Sequence, residues 1–146
     1  MIRLIVLIIA ISMAAGCATP KYGNLMAAKN TPYGLNAKLV DDAVTKLEAL
    51  YPPASTQFNI GQPILPNDNF GQELISTLRN HGYAVQEFSK KQPVDIQTGT
   101  SLRYIIDPYQ ELYRIKLLVG AYTLTRAYIE QDDSIVPAGS WARLEN

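Results

Sequence analysis

The stretch Leu112-Tyr113-Arg114-Ile115-Lys116-Leu117-Leu118-Val119 alternates along its length. Tyr113, Ile115, Leu117 and Val119 fall on one side, and Arg114 and Lys116 on the other. A period of two is the mark of a β-strand with one buried face. Working outward, Gly120 permits a hairpin or a bulge, and Tyr122 to Ile129 reads as the next strand. Gln131 to Ser134 reads as a turn, and Trp141 to Leu144, after Pro137-Ala138-Gly139, as the last strand. Upstream, Ser101 to Ile106 reads as a strand. Asp107-Pro108-Tyr109-Gln110 reads as a turn with proline at its favoured second position. The C-terminal third is thus expected to be an antiparallel meander.

Ahead of the meander the period changes. From Asn36 to Tyr51, Val40, Val44, Leu47 and Tyr51 recur at helical spacing, as do Leu39, Ala43 and Leu50. Asn36 is the expected cap, and Asp41-Asp42 are expected in the first turn, where negative charge is favoured. Pro52-Pro53 should stop this helix, since proline disfavours helical geometry in the residue before it. Thr56 to Ile60 reads as a short strand and Gln62 to Asn67 as a loop with two prolines. Phe70 to Asn80 reads as a second helix, striped by Phe70, Leu74, Ile75 and Leu78. Asp68 or Asn69 can cap it, and Gly82 can close it in the left-handed conformation. Tyr83 to Phe88 has strand content, and Ser89 to Thr100 is a polar loop.

This order predicts an α+β fold, with two helices packed on one face of a mostly antiparallel sheet. The opposite face would carry Arg114 and Lys116, with Arg126 as a further candidate and tyrosines such as Tyr128 beside them. Together with Trp141 near the C-terminus, these are the candidate partner-binding residues, because tyrosine, tryptophan and arginine are enriched at interface hot spots.

The N-terminus reads as a leader. Arg3 precedes the apolar run Leu4 to Ile11, and Ala14-Ala15-Gly16 lead to Cys17, the sole cysteine of the chain. The apolar segment is short of the roughly 20 residues that a spanning helix needs and matches a secretory core. The thiol of Cys17 is the side chain that could carry a diacylglycerol thioether. This arrangement resembles the lipobox of bacterial lipoproteins, with Ala14 in place of the commoner leucine. It implies cleavage between Gly16 and Cys17 and a covalent lipid on Cys17. By the same resemblance, Ala18 rather than aspartate after the cysteine implies sorting to the outer membrane. Residues 1–16 are then a signal peptide, 17–36 a lipidated N-terminus and flexible tether, and 37–146 a periplasmic domain.

The 130 residues from Cys17 onward make one domain's worth of chain. They carry twelve basic and thirteen acidic residues, so no net field favours nucleic acid. With one cysteine there is no intrachain disulfide. His81, the sole histidine, sits at a helix C-terminus, where the dipole favours it. A metal site needs three or four ligands, and the carboxylates are scattered. Asp132-Asp133 reads as a turn rather than a calcium site. Asp107 and Glu111 could do acid/base work only if the fold set them across a cleft. No Gly-x-Ser-x-Gly elbow and no glycine-rich phosphate loop occur. The expectation is a protein that is not an enzyme and takes no cofactor or metal.

A family resemblance runs through the domain. Asp42-Ala43, Leu47, Tyr51-Pro52-Pro53-Ala54 and Thr56 carry its first part. Asp68, Phe70-Gly71, Leu74, Leu78-Arg79 and Gly82-Tyr83-Ala84-Val85 follow. Tyr104, Asp107, Tyr113-Arg114, Arg126-Ala127-Tyr128, Pro137-Ala138-Gly139, Trp141 and Arg143 complete it. In this order, behind a lipoprotein leader, they resemble the TrbH-type conjugal transfer lipoproteins of plasmid mating-pair formation, which belong with type IV secretion. The resemblance implies a structural component of the outer-membrane part of that apparatus. It implies other channel proteins as partners, a homo-oligomer within the channel as an option, and no direct nucleic-acid binding. The competing expectation is an assembly or pilot lipoprotein of another envelope complex.

Overall fold

A computed structural model describes residues 23–24, 35–89, 98–109, 112–132 and 134–146. The leader, Gly16, Cys17, Glu111 and Asp133 lie outside these residues. The elements run β1 (Gly23–Asn24), α1 (Leu35–Leu50), β2 (Gln57–Ile60), α2 (Asn69–Asn80), β3 (Ala84–Gln86) and β4 (Thr100–Tyr109). They continue with β5 (Leu112–Val119), β6 (Tyr122–Gln131), β7 (Ser134–Pro137) and β8 (Ala142–Glu145). One mixed sheet takes the order β3-β2-β4-β5-β6-β7. β1 joins the free stretch of β4 beyond β2, and β8 shares the outer edge of β6 with β7. The architecture is α+β, with the antiparallel meander as the larger part of the sheet.

Three features of the sheet depart from the sequence expectation. First, β2 pairs parallel with both β3 and β4, and β1 pairs parallel with β4, Gly23 opposite Ile105 and Asn24 opposite Ile106. β1 falls inside the stretch read as the tether. Second, β4 runs through Asp107 and Pro108 to Tyr109 instead of turning at Asp107, with Pro108 opposite Tyr113. Third, Ser134–Pro137 forms a strand against residues 128–131 of β6, and Ala142–Glu145 takes up the rest of that edge. The last strand was expected at Trp141 to Leu144 and lies one residue later, whereas Ser134–Pro137 carries no periodic signal and is created by pairing with its long neighbour.

The local rules explain the element ends. α1 stops at Leu50 before Pro52, and Pro53–Ser55 makes a single 3₁₀ turn into β2. Asn36 lies inside α1 rather than capping it, and Asp41-Asp42 stand beyond its first turn. Asp68 caps α2, its Oδ1 accepting from the Gly71 N–H at 3.0 Å. At the other end Gly82, φ +85°, donates to the Arg79 carbonyl while the Tyr83 N–H donates to that of Leu78. That is a Schellman closure. Gly120, φ +57°, supplies the left-handed residue of the two-residue β5–β6 hairpin.

Both helices bury one stripe against the same face of the sheet. Leu39, Val40, Ala43, Val44 and Leu47 of α1 and Phe70, Leu74, Ile75 and Leu78 of α2 meet Phe58, Ile60, Leu102, Tyr104, Ile106, Ile115, Leu117, Val119, Leu124 and Tyr128. Phe58 stacks obliquely on Tyr83 and edge-on to Tyr51, joining the α1 stop to β2. The Tyr83 hydroxyl donates to the Tyr51 carbonyl at 2.6 Å, and burial, with Glu48 nearby, pushes its pKa up to about 12.

One polar knot interrupts this core. The Tyr104 hydroxyl donates to Asp68 Oδ2, and the Tyr104 N–H donates to Gln62 Oε1 at 2.9 Å. Burial and then the Asp68 carboxylate hold the Tyr104 phenol far above its ordinary pKa, so it remains a donor. Gly71 makes the knot possible: a Cβ there would overlap the Tyr104 hydroxyl and come within 3.0 Å of the Asp68 carboxylate. Alanine is intrinsically the better helix former by about 1 kcal/mol. Overpacking costs roughly 1–3 kcal/mol and here also breaks a buried hydrogen bond. Gly71→Ala is therefore expected to destabilise the protein by about 1–3 kcal/mol in urea unfolding, and a gain in stability would contradict the knot.

Candidate functional site

The sequence grouped Arg114, Lys116, Arg126, Tyr128 and Trp141 as one candidate face. The sheet register divides them. Ile115 pairs with Arg126 and Tyr113 with Tyr128, so Arg126 and Tyr128 share the helix-covered face with Ile115. Arg114 and Lys116 pair with Ala127 and Thr125 on the outer face. Alternation along β5 was legible, but the phase of β6 against it was not. Arg126 breaks the apolar pattern of the inner face, and a charged residue on that face needs a partner that only the fold can supply.

That partner is Asp42 of α1. Arg126 Nη1 donates to both Asp42 oxygens, at 2.7 and 2.8 Å, and Arg126 Nε donates to the Gly139 carbonyl at 2.7 Å. The Tyr128 hydroxyl donates to Asp42 Oδ2 at 2.5 Å. Burial, then Asp42, raises the Tyr128 pKa far above its ordinary value and keeps the phenol protonated. Asp42 thus serves as an acceptor that clamps α1 to β6, and not as a dipole-favoured residue of a first turn. A small cleft of about 200 Å³ opens beside this clamp, between Lys38, Leu39, Asp42, Tyr128, Ile135 and Pro137.

On the outer face, Arg114 Nη2 lies 2.9 Å and Lys116 Nζ 3.3 Å from Asp107 Oδ2, across the β4–β5 pairing. Burial alone would raise the Asp107 pKa, but the hydrogen bonds and charges of Arg114 and Lys116 outweigh it and hold it below the ordinary 3.8. The strand that replaced the expected turn at Asp107 is what brings this carboxylate opposite Arg114. Trp141 lies just before β8, partly buried against the core, and its Nε1 is buried without a hydrogen-bond partner among the described residues.

The other residues weighed for chemistry have structural settings. His81 is the residue that ends α2, with Nδ1 2.8 Å from Glu48 Oε1. Asp132 sits in the β6–β7 turn with φ +50°. Among the described residues no group of three or more histidine, cysteine, aspartate or glutamate side chains could hold a metal ion. Nor is any helix among them long and apolar enough to cross a membrane.

What the fold and these contacts define is a two-layer α+β domain whose helical layer is fastened to the sheet at two carboxylates, with a mixed-charge outer face. The family model for the conjugal transfer protein TrbH matches residues 19–145, and the chain belongs to that family. No curated protein and no solved structure matches it significantly.

Two sets of variants separate the inner clamp from the outer face. Arg126→Ala leaves the Asp42 carboxylate half-buried without its cation and should lower stability by about 2 kcal/mol in urea unfolding. Arg114 is half exposed, so Arg114→Ala should change stability by less than about 1 kcal/mol. Equal effects would mean that the two faces are wrongly assigned. The lowered Asp107 pKa adds stability above the ordinary carboxylate value, and this is lost as pH falls through the lower folded value. Asp107→Asn should therefore be less stable than the natural protein at neutral pH, with the gap closing in acid.

Proposed function

We propose that this protein is a structural, non-catalytic component of a conjugative type IV secretion apparatus, held in the outer membrane by a lipid on Cys17 with its domain in the periplasm. The observation that carries the reading is membership of the conjugal transfer family over residues 19–145. The lipobox-like run Ala14-Ala15-Gly16-Cys17 supports the anchor, and residues 1–16 would be removed as the signal peptide. Two or more acyl chains suffice for stable membrane anchoring.

The use of charge in the domain fits a scaffold. Asp42, Asp68 and Arg126 are engaged in holding the layers together. The Asp107-Arg114-Lys116 group on the outer face and the partly buried Trp141 offer polar and aromatic contacts to neighbouring channel proteins or to a second copy. Strand addition at the end of the sheet marked by β3 is a further route for such a neighbour.

Cys17→Ser tests the reading. The variant should move from the membrane to the soluble envelope fraction and lower plasmid transfer between cells. Normal fractionation with normal transfer would overturn both the anchor and the role given to it. Combined replacement of Arg114 and Lys116 by alanine should reduce mating frequency, with a stability loss in urea titration no larger than that of Asp107→Asn, which removes the same ion pairs from the fold.

A further inference from the structure

Three large apolar side chains stand exposed among the described residues: Leu65, Leu112 and Leu144. Leu112 begins β5 beside its hairpin and Leu144 lies on β8, at the far edge of the sheet. Leu65 differs in what surrounds it. It sits in Pro63-Ile64-Leu65-Pro66, of which Pro63, Leu65 and Pro66 are exposed and Ile64 packs partly on the core. From Gly61 to Gln72 the sole ionisable side chain is Asp68, which is buried in the Tyr104 knot.

The two carbonyls at the end of this tip are bonded within the protein. Gln72 Nε2 donates to the Leu65 carbonyl at 3.2 Å and to the Pro66 carbonyl at 2.9 Å, and the Asp68 N–H donates to the Leu65 carbonyl at 2.9 Å. Pro63 and Pro66 have no N–H. With the Leu65 and Pro66 carbonyls already bonded inside the protein, the apolar tip can enter a lipid surface without leaving those two acceptors unpaired.

The position of β1 decides which surface the tip meets. Gly23 lies beside Ile105, while the Gln62 side chain accepts from the N–H of Tyr104, the preceding residue on the same strand. Leu65 is three residues beyond Gln62, at most about 11 Å along the chain. Whatever path residues 18–22 take, the six steps from Cys17 to Gly23 span at most about 20 Å. A lipid on Cys17 therefore ties the bilayer close to this corner of the domain.

We propose that the loop Pro63-Ile64-Leu65-Pro66 is a second, non-covalent membrane contact, resting in the surface of the bilayer that holds the Cys17 lipid. This rests on the reading of Cys17 as acylated. The two contacts together fix the orientation of the domain. They set the β1–α2 corner against the membrane and turn the far edge, with β7 and β8, toward the periplasm.

The test uses the full protein purified from membranes and returned to phosphatidylethanolamine–phosphatidylglycerol vesicles. Leu65→Cys and, separately, Leu144→Cys are labelled with an environment-sensitive fluorophore, and the vesicles carry a lipid with a nitroxide quencher near its headgroup. The Leu65 label is expected to shift to the blue and lose most of its emission, and the Leu144 label to change little. If Leu65→Cys misfolds, the exposed Asn67 serves as Asn67→Cys on the same loop. An acylated mass for Cys17 with equal quenching at both positions overturns the loop contact and leaves the anchor standing. A chain with no acyl mass on Cys17 overturns both.

Discussion

The Asp68 carboxylate sits where a loop, a helix and one of the two longest strands converge, and the start of α2 takes its position from it. One oxygen caps α2 through the Gly71 N–H, and the other receives the Tyr104 hydroxyl of β4. A buried carboxylate is costly unless it is fully bonded. The site therefore demands a tyrosine at 104, a residue without Cβ at 71, and an N-cap that can also accept from the sheet. These three demands lock the start of α2 above β4, and the loop that carries Leu65 is tied down with it through Gln72.

Asp42 repeats the device at the other end of the sheet. It fastens α1 to β6 through Arg126 and Tyr128, and Arg126 extends the clamp to the Gly139 carbonyl. The residues on which the family resemblance rests include most of both clamps: Asp42, Asp68, Gly71, Tyr104, Arg126, Tyr128 and Gly139. In this chain each of them thus has a packing role. The pairing of tyrosine with aspartate in each clamp also explains why Tyr104 and Tyr128 are buried among apolar side chains: the ring fills the core and the hydroxyl satisfies a carboxylate in or capping a helix.

Much of the fold was open to reading along the chain. The stripes of α1 and α2, the stop at Pro52-Pro53, the Asp68 cap and the Gly82 closure are local effects, set by residues within a turn of one another. The alternation of β5 is local as well. The candidate site was less accessible. Arg114 and Arg126 look alike in sequence, each in an alternating strand, and the one-residue phase between β5 and β6 sends them to opposite faces. The strand at Ser134–Pro137 and the extension of β4 through Pro108 come from hairpin pairing with β6 and β5, and not from a periodic pattern within the segments themselves.

The sequence by itself determined the class of the fold, the stop of α1 and both ends of α2, because periodicity, capping and turn chemistry act within a few residues, and the order of its residues carried the family resemblance. Tertiary structure alone decided the parallel pairing of β1, β2 and β3, the partner of each buried carboxylate and the division of the basic residues between two faces. Those depend on register and on contacts between residues 36 to 86 positions apart. A long-range hydrogen bond leaves no periodic trace in the chain that makes it.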